Sequence, residues 1–224
     1  MYRETYRPPT RFSVFPPVIK NLLILNALVF MAQLGPMGQF LQDWFALWPL
    51  GTLSHRQTLF GLEPVPDFWP WQLITYSFLH GGFTHLFFNM FALWMFGVQI
   101  ENTWGSRRFA IFYFVCVVGA AVCQMIVSWG VPVATVGASG GVFGILLAFG
   151  MMFPEQPIYL YFVLPIKAKW FVIGYGLIEL FAGISGAQSG VAHFAHLGGM
   201  IFGFLLIQYW RGKLPIQPKT RAYP

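Results

Sequence analysis

The sequence predicts an all-α, polytopic membrane protein built as a bundle of six transmembrane helices. Three observations carry that prediction. Of the 224 residues, 57% are apolar and only 9% charged, too few charges to coat a globule in water. The apolar residues come in blocks of the length that a helix needs to cross a bilayer, about 20 residues. The basic residues lie at the edges of those blocks and divide unevenly between the two ends that six crossings would create.

The blocks follow in order, separated by polar, glycine and proline punctuation. Residues 1–17 form a polar, proline-containing tail, expected in the cytoplasm. The first block, Val18–Leu34, lacks a small-residue cleavage site and so is expected to remain as a span and not be removed as a signal peptide. A long segment, Gly35 to Trp71, carries Trp44, Trp48, Trp69 and Trp71 among several prolines. Amphipathic aromatics favour the headgroup region, so this loop is expected on the outer leaflet and partly in it. The second block runs from near Phe83 to near Glu101, the third from about Arg108 to Ser128, and the fourth from Ser139 to Phe153, ahead of Pro154. The fifth is about Ala168–Ile184 and the sixth about Val191–Trp210, after a polar stretch from Gly186 to Gly190. Residues 18–210 thus make one membrane domain, and 211–224 a basic cytoplasmic tail.

Six crossings put both termini on one side. Arg3, Arg7, Arg11, Lys20, Arg107, Arg108, Lys167, Lys169, Arg211, Lys213, Lys219 and Arg221 then share that side, and Arg56 stands alone on the other. This is the distribution of cytoplasmic termini, and a miscounted span would scramble it. A net charge of +6 without a long basic run reads as membrane orientation, so no nucleic-acid partner is expected. Cys116 and Cys123, two helical turns apart, are too distant for a disulfide and read as small packing residues. No organelle-targeting stretch is visible, which points to a plasma membrane of bacterial type.

Polar groups inside a membrane are costly and mark function or helix contact. The fourth block opens with Gly137-Ala138-Ser139-Gly140-Gly141. A serine at a helix start exposes its hydroxyl beside unpaired backbone N–H groups, which can receive an oxyanion. Gly140 and Gly144 are equally a small-residue packing face. The sixth block carries His193, His196, Gly199 and Gly203, and its glycine face can meet that of the fourth block, bringing Ser139 to His196. The second block opens with His80, His85 and Asn89. His85 and Asn89 share a helical face, and both can donate hydrogen bonds or simply join helices. The second, fourth and sixth blocks all run from outside to inside, so the three clusters fall in one layer near the outer face. A scatter of packing groups would not share a layer, and polar groups lining a transport path would run through the membrane depth.

Together these motifs, His80-x4-His85-x3-Asn89, Glu101-Asn102-Thr103-Trp104-Gly105, Gly137-Ala138-Ser139-Gly140 and Ala195-His196-x2-Gly199-x3-Gly203, resemble the rhomboid family of intramembrane serine proteases over nearly the whole chain. The resemblance implies a six-helix core, a Ser139–His196 dyad, and an oxyanion hole from His85, Asn89 and the backbone N–H groups of Ser139 and Ala138. It implies Phe143 as the aromatic ring against the catalytic histidine, where the family often has Tyr, and His80 in the hydrogen-bonding and water network of the site. His193 is assigned a supporting role. Glu179, deep in the fifth block, could be a third member orienting His196. Because the resemblance argues for a dyad without an acid, a protonated or hydrogen-bonded structural role is the expectation. Substrates would be single-span membrane proteins with helix-breaking residues near the outer end, reaching the site between the second and fifth spans. Neither metal nor cofactor is expected, since no zinc motif or nucleotide loop is present. The rival reading is a non-catalytic relative that binds membrane clients.

Overall fold

The computed structural model describes residues 12–52, 55–58, 61–160, 163–185 and 192–216. The start of the expected N-terminal tail, the Gly186–Gly190 punctuation and residues 217–224 fall outside the described residues. So do Arg3, Arg7, Arg11, Lys219 and Arg221.

Helix dominates, as a chain in lipid requires: only within a helix or a closed barrel does every backbone N–H and C=O find a partner without water. The six apolar blocks become α1 (Pro17–Gln33), α4 (Phe83–Trp104), α5 (Ser106–Val127), α6 (Ser139–Met152), α7 (Ala168–Ser185) and α8 (His193–Trp210). Three of them, α4, α5 and α7, are long and apolar enough to cross a membrane, while α1 and α6, with 17 and 14 residues, are apolar but shorter. The long loop after α1 contains two short helices, α2 (Gly38–Phe45) and α3 (Gln72–Thr75), and an antiparallel hairpin of β1 (His55–Thr58) and β2 (Gly61–Pro64). A second hairpin, β3 (Pro157–Leu160) with β4 (Leu164–Lys167), joins α6 to α7. These hairpins qualify the all-helical expectation. The second is drawn together by Glu155, which pairs with Lys167 at 2.7 Å and also with Lys169. The two ammonium groups hold this exposed carboxyl at a pKa of about 2.

Ends of elements follow from local chemistry. Pro17 stands in the first turn of α1, where its missing N–H costs nothing. The N–H groups of Val18 and Ile19, in the first turn and without intrahelical partners, donate to the Glu101 carboxylate, both at 2.9 Å, and Ser106 Oγ donates to the same group at 2.6 Å. A carboxylate at a helix N-terminus also complements the dipole. Asn102 fastens the chain ahead of α1 through Ser13, whose N–H and C=O it pairs at 2.8 Å each. Trp104 is buried between Phe112 and Trp210. The Glu101–Gly105 motif is therefore a clasp joining α1, α4, α5 and α8 at one end of the bundle.

The centre of the molecule is α5, whose Phe109, Phe112, Tyr113, Cys116 and Val117 are fully buried. α8 packs most extensively on α5 and α6. That contact depends on missing side chains. A Cβ on Gly199 would stand 1.9 Å from the carbonyl oxygen of Gly140, and one on Gly144 would meet Cys116 Sγ at 2.3 Å. Backbone therefore lies on backbone where α6 crosses α8, the approach that the two glycine pairs predict. Cys116 and Cys123 are both free and face glycines, Cys123 against Gly198, in agreement with packing roles. α7 rests on α6, α8 and the second hairpin and has at most marginal contact with α4.

Candidate active site

Ser139 is the first residue of α6, and what precedes it fixes its position. Gly137 has φ +125 and donates its N–H to the Tyr76 carbonyl at 3.0 Å. Only glycine is comfortable at that φ, and a Cβ there would come within 2.7 Å of the His85 ring. The turn thereby seats Ser139 beside His85, at the start of α6, whose first N–H groups lack intrahelical partners. Ala138 is fully buried behind the serine.

His196 lies in the first turn of α8, opposite. Its Nε2 is 2.8 Å from Ser139 Oγ. The Phe143 ring, one turn beyond Ser139, stacks on the imidazole with centroids 4.2 Å apart and planes 5° from parallel. Hydroxyl and imidazole come from the two helices that Gly140 and Gly199 allow to touch. Ser139 keeps partial exposure while His196 is buried, so the pair faces an opening without lying in open water.

His85 and Asn89 rise from the first two turns of α4. Gly81 donates its N–H to His85 Nδ1 at 3.4 Å, which leaves Nε2 as the N–H donor on the edge facing Gly137 and Ser139. Asn89 is buried and donates one amide hydrogen to the His85 carbonyl at 3.0 Å; its second hydrogen is not used by that bond. His80 lies in the loop before α4, its ring 5.1 Å from that of His85. Its backbone is clamped by Gln33 of α1, which accepts its N–H at 2.9 Å. Burial, and secondarily the neighbouring His85, pushes the His80 pKa down to about 4, so its imidazole is neutral at pH 7.

All seven residues singled out from the sequence, Ser139, His196, His85, Asn89, Ala138, Phe143 and His80, gather at one end of the bundle. The structure adds a contact that no spacing announces. Glu179 of α7 is buried, and its Oε2 is 2.9 Å from His196 Nδ1 and 2.7 Å from His193 Nδ1. Both roles open to Glu179, a third member orienting His196 or a protonated or hydrogen-bonded structural residue, fit these contacts, and one of its partners is the histidine that touches Ser139. Glu179, His193 and His196 also bring one potential metal-ligand atom each to within 4.8 Å of one another. A metal ion there would have to displace both hydrogen bonds to the shared oxygen, so the trio is accounted for as a hydrogen-bonded network.

A hydroxyl held by an imidazole, beside an N–H donor and a helix N-terminus, can carry out nucleophilic acyl transfer. Comparison with known proteins gives the family. The Rhomboid domain family matches residues 68–212, more than half of the chain. Rhomboid protease GluP of Bacillus subtilis is 33% identical over 139 residues, 60% of this chain and 25% of that protein. RHOMBOID-like protein 4 of Arabidopsis thaliana is 34% identical over 176 residues, 77% of this chain and 39% of its own length. YdcA, a rhomboid-protease candidate of Bacillus subtilis, is 30% identical over 216 residues, 92% of either chain. The chain thus spans well under half the length of the first two relatives and nearly all of the third.

Proposed function

The chain belongs to the rhomboid family, and on that premise we propose that it is an intramembrane serine endopeptidase with Ser139 as nucleophile and His196 as base. The observation that carries the reading is the 2.8 Å contact of Ser139 Oγ with His196 Nε2, made where α6 and α8 cross. In the proposed reaction His196 takes the Ser139 proton as Oγ attacks the scissile carbonyl. The oxyanion is received by the N–H groups at the start of α6, Ser139 and Ala138 included, with His85 and Asn89. The imidazolium returns its proton to the leaving amine, and water hydrolyses the acyl-enzyme with His196 again as base. Phe143 keeps the imidazole plane in place, and His80 supports the water network of the site.

The substrates proposed are single-span membrane proteins. α6 has 14 residues, about 21 Å of helix in a hydrocarbon layer of about 30 Å. With its far end at the inner face, its first residue would sit below the outer surface, which supports a Ser139 reached by membrane-embedded substrates. A regular helix hides its carbonyls, so the scissile segment must bend or unwind, favouring small and helix-breaking residues near the outer end of the substrate. The marginal contact between α4 and α7 supports access between them. The six-crossing topology, the cytoplasmic termini and a bacterial-type plasma membrane belong to the same reading.

Two measurements test it. A fluorophosphonate should label Ser139, detectable as a mass adduct on the peptide that contains it, and Ser139→Ala should remove the label. Cleavage of a model single-span substrate should fall to background in Ser139→Ala and His196→Ala. Equal cleavage by all three proteins would eliminate the pair. No labelling and no cleavage by the unsubstituted protein would instead favour a member of the family that binds membrane clients without cutting them.

A further inference from the structure

The reading above uses one face of His196 and leaves the other unexplained. A histidine that accepts a proton at Nε2 must carry its own proton on Nδ1, and that N–H needs an acceptor. Inside a helix bundle, water is a poor candidate. The atom present is Glu179 Oε2, 2.9 Å from His196 Nδ1. The same oxygen lies 2.7 Å from Nδ1 of His193, one turn earlier on α8. One oxygen between two ring nitrogens restricts the protonation states. A neutral carboxyl has a single hydrogen to donate. Given to His196 Nδ1, it forces the imidazole proton onto Nε2, facing Ser139, where it blocks the base. Given to His193, it leaves His196 bonded to a weak neutral acceptor. Kept on Oε1, it leaves Oε2 a weak neutral acceptor for both rings, whereas an ionised carboxylate accepts from both strongly.

We propose that Glu179 is a positioning residue, the ionised acceptor that holds His196 as its Nδ1–H tautomer, and that His193 is the second donor that fixes and partly neutralises that carboxylate. This rests on the protease reading and extends it. The family resemblance implies a serine–histidine dyad, whereas this chain would work as a relay of Ser139, His196 and Glu179, with His193 behind it. The proton balance is simple. On attack the Ser139 proton moves to Nε2, the Nδ1 proton stays on the ring, and Glu179 stays ionised throughout. The positive charge that appears on His196 then faces a negative charge already in place, and the pair is neutral overall. In a buried site that complementarity is worth far more than in water, and it acts only once the imidazolium forms, as an interaction that raises the rate must. The two histidines also give a reason for a carboxylate in the middle of an apolar helix, where an uncompensated one would be expelled or protonated.

The test compares steady-state cleavage by the full-length protein with Glu179→Gln and His193→Gln, and reads the His196 tautomer by 15N NMR of histidine-labelled protein. Glu179→Gln should lower kcat about 10²-fold or more, the direction seen when the orienting acid of a serine-protease triad becomes an amide, with KM within about twofold. His193→Gln, which keeps the carboxylate but loosens it, should lower kcat by a smaller factor of about 10. The spectrum of the unsubstituted protein at neutral pH should show Nδ1 protonated and Nε2 bare for His196, and Glu179→Gln should move the balance towards Nε2–H. A purely structural glutamate would alter stability without moving either the tautomer or kcat at constant KM. An Nε2–H tautomer in the unsubstituted protein overturns the proposal, as does a Glu179→Gln kcat within threefold. If Glu179→Gln does not fold, the tautomer of the unsubstituted protein and the His193→Gln kcat still decide. Labelling and cleavage by the unsubstituted protein, unaffected by Glu179→Gln, sinks the relay alone; their absence in the unsubstituted protein sinks the protease reading, and the relay with it.

Discussion

Gly137 is constrained from two directions at once. Its φ of +125 is closed to side chains, and the His85 ring occupies the place of the missing Cβ, 2.7 Å away. An alanine there costs about 1–2 kcal/mol in the backbone and pushes His85 off the line to Ser139. Gly137→Ala should therefore retain the helical circular-dichroism signal yet lose about 10²-fold in kcat, the scale of one lost oxyanion donor. A kcat unchanged in folded protein would remove His85 from the oxyanion role. His80, one ring further out, makes a different kind of contribution. Its pKa is pushed down to about 4, against 6.5 for an unhindered imidazole. Between those values the unfolded chain binds a proton that the folded chain refuses, so stability falls as the pH drops from about 6.5 towards 4 and is fully present above 6.5. The full difference is on the order of 3 kcal/mol. Thermal midpoints in detergent should decline between pH 7 and pH 4.5, and His80→Gln should flatten the decline; equal slopes for both proteins would mean that the burial of His80 is not what the acid attacks.

Among the elements, the crossing of α6 and α8 is where sequence and chemistry meet most directly. A methyl on Gly199 would fall 1.9 Å from the Gly140 carbonyl oxygen, and backbone cannot swing aside as a side chain can. Gly199→Ala must separate the helices, and with them Ser139 from His196. Glu101 is a control at the opposite end: Glu101→Gln leaves one of the N–H groups of Val18 and Ile19 poorly satisfied, a loss of about 1–3 kcal/mol, but touches nothing near Ser139. Both variants should lower the thermal midpoint, while only Gly199→Ala should lower kcat per folded molecule. Equal effects on kcat would mean that activity tracks general stability and not the approach of two helices. This crossing is legible in the sequence because a four-residue glycine repeat on each block admits few other arrangements. The gathering of Ser139, His196, His85 and Asn89 at one end is legible too, because each cluster lies at or near the start of its block and the three blocks are expected to run in one direction. Glu179 is legible only as a costly carboxylate with two possible roles, because the rotation of α7 is set by a hairpin and by neighbours far along the chain, and no spacing rule links position 179 to 193 or 196. α2, α3 and the strands of the hairpins also escape notice: each is at most eight residues long, and in the long loop glycine, proline and tryptophan mask the periodicity.

For the whole molecule, the contacts fix which ends lie together. The start of α1 meets Glu101 at the end of α4, Trp210 at the end of α8 packs on Trp104, and Gln99 bonds Gln156 ahead of β3 at 3.1 Å. Lys20, Arg107, Arg108, Lys167, Lys169, Arg211 and Lys213 therefore gather at one end of the bundle. At the other end Leu47 of the long loop bridges Thr135, Trp44, Trp69 and Trp71 form a stack with ring centroids 6.1 and 5.0 Å apart, and Ser139 and His196 meet. Among the described residues, Arg56, on β1 within the long loop, is the single Lys or Arg outside the first group. A charge separation of this kind orients a chain during insertion, basic end inward, and so supports the proposed orientation, with the proposed active site towards the outside. Single-cysteine variants on a background lacking Cys116 and Cys123 test it. Val133→Cys, exposed in the loop before α6, should react with a membrane-impermeant maleimide in intact cells. Lys213→Cys should react only after the membrane is opened. The reverse pattern would invert the protein and bring the reaction to the cytoplasmic face; labelling of both in intact cells would mean an odd number of crossings between 133 and 213, where the proposed topology has three, has been lost to an even one.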